Sequence, residues 1–404
     1  MSYCATTVGA VLKGIVSGKS IRTLERPAQG NEFGILKVSA VTWGEFRPAE
    51  SKAMPFEYDP GDCPRAMDGD ILISRANTRE LVGAPVMVHG DHPRLLLSDK
   101  LLKLIPDETV VDSRYLVRAL RSAGATLHFS QCAGGSSGSI TNITQGDIRS
   151  APLPLPPLPE QRRNAAILDQ ADALRAKRRE ALAQLDSLTQ SIFIEMFGDP
   201  GLNPKSWPEL QLGELIVGTP NNGIFKKNEE YGTGTPVVWV EELFKGNEID
   251  CSSSRALLAS TRDKARYGLR NGDLLFCRSS LKLAGIGYNN VYLGEDDEAL
   301  FECHVIRVSP NQKRIEPRFL NYALRLPSQR QKLFKFAKTV TMTTIDQDGL
   351  LKVSVPVPTL DLQRKFCRYL SAVEVVRRRQ MATVAELDAL FASLQHRAFA
   401  GQLS

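Results

Sequence analysis

From Glu160 to Phe197 the chain holds neither proline nor glycine. Ala, Leu, Arg, Glu and Gln dominate that run, and all are good helix formers. Just before it stand Pro152, Pro154, Pro156, Pro157 and Pro159, which favour extended backbone and cannot sit inside a helix. The pattern predicts one helix of about 36 residues, a rod of roughly 54 Å. A rod of that length cannot hide an apolar stripe against one small domain, so it asks for a partner.

The same chain supplies a candidate. "PLPPLPEQRR" (Pro154 to Arg163) returns as "PVPTLDLQRK" (Pro356 to Lys365), with Gln161 meeting Gln363 at an offset of 363 − 161 = 202. Pro154, Pro156, Leu158 and Arg162 meet Pro356, Pro358, Leu360 and Arg364 at the same offset, and "ITNIT" falls on "MTTID". Further upstream "DGDILISR" (Asp68 to Arg75) matches "NGDLLFCR" (Asn271 to Arg278), "RYLVRALR" matches "RFLNYALR", and "VGAV" matches "LGEL", each a residue or two out of register. Ordered matches with small slips are what loop-length changes leave in a tandem duplication. The chain therefore reads as four segments: globular units at 1–153 and 199–355, and helices at 154–198 and 356–404. "DILIS" and "APVMVH" have strand character, and "SRYLVRALRSAG" has helical spacing with a glycine stop, so each unit is expected to be α/β or α+β.

Alternating steps of four and three trace a heptad seam through Ile167, Ala171, Leu174, Arg178, Ala181, Leu185, Leu188 and Ile192. Its counterpart runs through Tyr369, Val373, Val376, Gln380, Thr383, Leu387, Leu390 and Leu394. The economical arrangement pairs the two rods. If a twofold axis relates the halves, the rods lie antiparallel as a coiled coil. The alternative is two amphipathic helices, each packed on its own unit. Paired rods would act as a spacer between two heads, suited to a split DNA site.

Composition agrees with a globular protein: 404 residues, 42% hydrophobic, 24% charged, formal net charge +6. A mild basic excess is compatible with nucleic acid without requiring it. No stretch reaches the length of a membrane span, and the N-terminal residues lack the pattern of a secretory signal. Seven scattered cysteines without a C-x-x-C pair fit free thiols in a reducing cytoplasm.

At this point the residues carry a resemblance. "PLPPLPEQRRNAAILDQADALRAKRREALAQLDSLTQSIFIEMFGDP" closely resembles the central region of the specificity subunits of type I restriction–modification systems. The resemblance extends over the whole chain as recognition domain, helix, recognition domain, helix. The second helix entrance departs from the pattern, with Asp361-Leu362 where the first has Pro159-Glu160. The resemblance implies that each domain reads one half of a split double-stranded DNA site. It also implies that the helices fix the separation and dock two methyltransferase subunits, that restriction endonuclease subunits join that core, and that the setting is the prokaryotic cytoplasm. S-adenosylmethionine and ATP would then belong to partner subunits, and this chain would hold no cofactor, no metal and no catalytic residue.

The sequence is consistent with that. "NPKSWP" has the wrong spacing for an amino-methyltransferase loop, and no G-x-G turn marks a cofactor cleft. "GIVSGKS" is one residue short of a phosphate loop and reads as a basic surface turn. "HGDH" (His89 to His92) has no third ligand nearby, and "GEDDEA" reads as a solvated turn.

DNA contacts are expected from Arg, Lys, Asn and Gln on loops. In the first half the candidates are Lys19, Arg22, Arg75, Asn77, Thr78, Arg79, Ser137 and Asn142. In the second they are Lys226, Lys227, Arg278, Ser280, Lys282, Lys338, Thr341 and Thr343. A structural role at a strand end is the competing assignment for Arg75 and Arg278. The loops differ between the halves, so the half-sites should differ too. "RAKRR" (Arg175 to Arg179) and "RRR" (Arg377 to Arg379) are either a solvated helix face or phosphate contacts. A coiled-coil adaptor that reads no DNA is the rival from another class, and a self-contained restriction–methylation enzyme is a third.

Overall fold

A computed structural model describes residues 5–57, 59–134, 140–339 and 342–403. The chain divides into two compact units, one of Met1–Glu180 with Met381–Ser404, the other of Ala181–Gln380. Both mix helices with small sheets.

In the first unit a four-stranded antiparallel sheet runs in the order Leu12–Ser17, Leu101–Pro106, Ile71–Ser74, Pro85–Met87. Every residue of Ile71–Ser74 is buried. Ile71 and Ile73 point into a core with Val8, Val11, Tyr115 and Phe129, while Leu72 points to the other face with Leu36, Val86 and Leu97. A strand covered on both faces reads as a continuous apolar run, as "ILI" does. A second sheet, Ser51–Ala53, Gly34–Leu36, His92–Leu97, Arg65–Ala66, includes one parallel pairing, Gly34–Leu36 with His92–Leu97. The helix Ser113–Leu120 starts on Asp112, whose carboxylate accepts from the N–H groups of Arg114 and Tyr115. The expected glycine stop is not what ends it. Arg121 closes the helix, Ser122 caps a new one, Ala123–Cys132, and Gly124 lies in its first turn. Likewise "GIVSGKS" is no simple turn, since Gly14 to Ser17 belong to the first strand.

In the second unit the antiparallel sheet is Asn221–Asn222, Val305–Val308, Leu274–Cys277, Asn289–Val291. Leu274 and Phe276 enter one core with Phe319 and Leu320, and Leu275 and Cys277 enter the other with Phe301 and Val305. In each unit the proline ramp is an edge ladder: Pro152–Pro154 pairs with Ala5–Thr7, and Ser354–Pro356 with Glu209–Gln211.

Two 40-residue helices, Leu158–Phe197 and Leu360–Phe399, each give one half to each unit. The first begins two residues earlier than Glu160, with Pro159 tolerated in its opening turn. Its entrance explains the recurring glutamine. Gln161 is fully buried, accepts from the Asp112 N–H (2.8 Å) and donates to the carbonyls of Pro156 (2.8 Å) and Val110 (3.1 Å). Gln363 is also fully buried, accepts from the Glu316 N–H (2.8 Å) and donates to Pro358 (2.8 Å). At the far end of the first helix, the Lys205 ammonium donates to the Glu195 and Met196 carbonyls and Trp207 Nε1 to Phe197. "NPKSWP" thus stops a helix.

Within each unit the halves of the two helices run past one another in opposite directions. In the first unit Leu168 packs with Ala398 and Leu403, and Arg175 pairs with Asp388 at 2.6 Å. In the second, Phe193 meets Phe366 edge-on at 5.2 Å, and Asp186 pairs with Arg377 at 3.5 Å. The contact seam differs from the expected one. On the first helix it lies one residue later: Leu168, Thr189 and Phe193 are buried, Ile167, Leu185 and Ile192 are only partly covered, and Leu174 and Leu188 are exposed. On the second, Val373, Leu387 and Leu394 are half-buried, whereas Tyr369, Val376 and Leu390 are exposed and Leu370, Arg377 and Phe391 take the inner places. The reason is that arginines occupy seam positions. Arg175 lays its guanidinium over the Phe391 ring at 4.3 Å while Asp172 and Asp388 neutralise it. No helix among the described residues is long and apolar enough to cross a membrane.

Candidate nucleic-acid interface

In the first unit the strand Ile71–Ser74 delivers Arg75 to the surface. The Arg75 N–H donates to the Lys100 carbonyl (2.9 Å) and the Arg75 carbonyl accepts from Ile143 (2.9 Å), which fixes the backbone. Its half-buried guanidinium has no hydrogen bond or ion pair among the described residues. Ala76–Asn77 then pairs with Thr141–Asn142. Lys19 reaches the same region because its N–H donates to Leu97 (3.0 Å) and the strand passes within touching distance of Ser98. A Cβ on Gly18 would fall 2.1 Å from the Ser98 carbonyl oxygen, so only glycine allows that approach.

These elements enclose a groove of ≈ 570 Å³ that brings together Lys19, Asn77 and Thr78. It adds Lys37, Lys52, Ser98 and Lys100, which the sequence did not single out. Those residues lie on one strand, at strand ends and in a turn, far apart in sequence, and only the sheet topology gathers them. Lys19, Lys37 and Lys52 hold exposed carboxylate partners, Asp62, Glu50 and Glu25. Such pairs are weak and can be exchanged for phosphate oxygens. Arg22 is exposed nearby in sequence, as is Asn142 on its strand.

Two candidates are occupied elsewhere. Asn77 donates from Nδ2 to Thr42 Oγ1 (3.1 Å) and accepts from the Thr78 N–H (2.9 Å), leaving it little capacity to read adenine. Arg79 reaches the Ser130 and Ala133 carbonyls at 3.5 Å each. Ser137 lies outside the described residues. His92 donates from Nε2 to the His89 carbonyl (3.0 Å), so "HGDH" is a hydrogen-bonded turn.

In the second unit Arg278 has the same setting. Its N–H donates to His304 (2.8 Å) and its carbonyl accepts from Ile345 (3.0 Å). Its guanidinium is exposed, with one long contact to the Cys303 carbonyl at 3.4 Å. Ser279–Ser280 pairs with Thr343–Thr344, which pairs in turn with Lys338–Thr339. A Cβ on Gly223 would lie 2.1 Å from the Phe301 carbonyl oxygen, the counterpart of Gly18. Lys227 and Lys282 are exposed, Lys226 sits 3.6 Å from Glu230, and Lys338 pairs with Asp346 at 2.7 Å. Ser280 accepts from the Lys282 N–H through its hydroxyl (3.1 Å). Thr343 is buried, which removes it as a DNA contact: strand alternation turns 343 and 345 inward and 342 and 344 outward. Thr341 lies outside the described residues.

Behind Arg278 the structure gathers Glu302, Cys303 and His304, with ligand atoms within 4.8 Å of one another. Glu302 is buried and accepts from the His304 N–H (2.8 Å); burial holds its carboxyl above the usual range. Nothing in the residue order announces this, since three adjacent residues need a bend to converge. The "RAKRR" cluster divides: Arg175 and Arg179 are engaged with Asp388, whereas Lys177 and Arg178 face outward.

A family model for the Type I restriction modification DNA specificity domain matches residues 64–184. The EcoEI specificity subunit of Escherichia coli is 30% identical over 153 residues, covering 37% of this chain and a quarter (25%) of that subunit. The EcoBI specificity subunit of E. coli is 23% identical over 427 residues, covering 96% of this chain and 84% of its own length. Among solved structures, the type I restriction–modification S subunit from M. genitalium superposes with a TM-score of 0.58 at 15% identity, covering 99% of this chain and 96% of that one. A chain from a type I R-M system, solved to follow complex assembly and conformational transition, gives 0.55 at 21% identity over 100% and 98%. These two likenesses extend the fold over both units. Residues 64–184 thus match the DNA specificity domain of type I restriction–modification systems, and the chain is similar along nearly its whole length to specificity subunits of such systems.

Proposed function

We propose that this chain is the DNA sequence-recognition subunit of a type I restriction–modification complex, reading a bipartite, asymmetric site with one half-site per domain. Residues 1–153 and 199–355 are the two recognition domains, and 154–198 and 356–404 are the spacer helices. The observation that carries this is the repeated presentation of a strand-end arginine. Arg75 and Arg278 are locked by matching pairs of backbone hydrogen bonds, beside matching glycine close approaches, yet their flanking loops carry different side chains. A shared docking scaffold with unlike reading edges is what two different half-sites require.

The helices pair as an antiparallel coiled coil in a pseudo-twofold repeat. Support comes from reciprocal contacts: Arg175 with Asp388 in one unit and Arg377 with Asp186 in the other, 202 positions apart on each side. The exposed Leu174, Leu188, Val376 and Leu390 are then free for two methyltransferase subunits, to which restriction endonuclease subunits add. The chain itself is non-catalytic and cytoplasmic. S-adenosylmethionine and ATP act on partner subunits, and base flipping belongs to the methyltransferase.

Methylome mapping of cells with and without this chain tests the assignment. A split, asymmetric methylated motif should vanish with the chain. A motif that persists without it, or methyl transfer by the purified chain alone, would refute the assignment. A coiled-coil adaptor would instead show no sequence-dependent retention on duplex DNA.

A further inference from the structure

Beside each strand-end arginine lies a two-residue ladder, and each ladder has one position beyond its last pair. In the first unit Asn77 pairs with Thr141, so the next positions are Thr78 and Ile140. In the second, Ser280 pairs with Thr343, so the next positions are Leu281 and Met342. Ile140 is 46% exposed, Met342 39% and Leu281 85%. Single exposed apolar side chains are ordinary on protein surfaces. Here Ile140 and Met342 recur at the same structural position in the two units, Leu281 faces Met342 where the first unit has Thr78, and none of the three belongs to a core cluster.

The surroundings point to the occupant. Arg278 precedes Leu281 by three residues and Lys282 follows it, and Arg75 stands at the equivalent place in the first unit. Cations of this kind seat on phosphates, and what lies between the phosphates of a duplex is the stacked bases. The ladders are also held at their roots: Arg278 is tied to His304 on one side and Ile345 on the other, and Arg75 to Lys100 and Ile143. A tip anchored in this way can press into a groove without folding back.

We infer that these ladder tips are apolar wedges that enter the duplex and pack against base faces, Leu281 with Met342 in one half-site and Ile140 in the other. Insertion of an apolar side chain at a base step partly unstacks it, most readily at flexible pyrimidine–purine steps. The wedge would therefore add sequence preference at a step that no polar side chain touches. Leu281 in place of Thr78 makes the second tip the larger intruder.

This inference rests on the DNA-recognition assignment, and the test separates the two. The full chain is used to enrich a sequence from a randomised duplex pool. 2-Aminopurine is then placed at each position of the enriched sequence in turn. The wild-type chain should brighten one step in the second half-site, reporting unstacking. The double variant Leu281→Ser with Met342→Thr should abolish that signal and weaken binding roughly tenfold, with an unchanged salt slope and an unchanged melting temperature. Arg278→Ala should instead lower the salt slope. If the wild type binds its sequence and no position brightens, or the double variant binds and brightens like wild type, the wedge is wrong while recognition stands. If no sequence is enriched, recognition fails and the wedge fails with it.

Discussion

Gln161 and Gln363 show how one side chain can join a helix entrance to a neighbouring element. Each amide satisfies a backbone N–H from one segment and a carbonyl from the proline ramp, in a fully buried setting. Gln161→Leu keeps much of the volume but strips the Asp112 N–H and the Pro156 and Val110 carbonyls of this amide. It should cost about 2 kcal/mol or more in denaturant unfolding, and Gln363→Leu should behave alike. Glu302 offers a test of opposite sign. Burial raises its carboxyl in the folded state, so the folded chain keeps a proton that the unfolded chain releases near the ordinary carboxylate value. Stability should therefore fall as pH climbs through the window between those two values and stay lower above it. Glu302→Gln should match wild type at pH 4 and melt a few degrees higher at pH 8. At this scale the sequence was only partly legible. Arg75 and Arg278 could be picked out because a strand pattern ends on them. The engagement of Asn77 by Thr42, and of Arg79 by two carbonyls, depends on contacts 35 to 54 residues away.

The long helices illustrate the same limit among elements. Their existence followed from composition and proline placement, since no competing residue interrupts them. Their phase did not. A heptad drawn mainly through apolar residues, with Arg178 and Gln380 at its polar central places, missed a seam held by Arg175, Arg377 and their carboxylates. An arginine with a stacked guanidinium and two acidic neighbours counts as an interior residue here, though composition alone marks it as surface. Arg175→Asp and Asp388→Arg should each lower the melting temperature. The double exchange should recover part of the loss, with a coupling of about 1 kcal/mol in a double-mutant cycle.

For the molecule as a whole, the matched scaffolds and unmatched loops predict an asymmetric target. Replacing residues 199–355 with a second copy of residues 1–153 should convert the methylated motif to two copies of the first half-site. Retention of the original motif would refute the division of labour between the units. The proposed four-segment layout rests on the internal offset of 202, whereas the compact units each take half of both long helices. The strand orders and the lysines of the ≈ 570 Å³ groove were not legible, because pairing between distant strands leaves no local trace.

The first unit is completed by residues 381–404. Phe399 sits edge-on against Tyr115 at 5.6 Å, Ala398 and Leu403 close over Leu168, and Gln395 donates to the Arg121 carbonyl. On the ribosome, therefore, the half that is made first is finished last. Until the final helical turns emerge, it must wait with an open flank, a natural place for a chaperone to hold it.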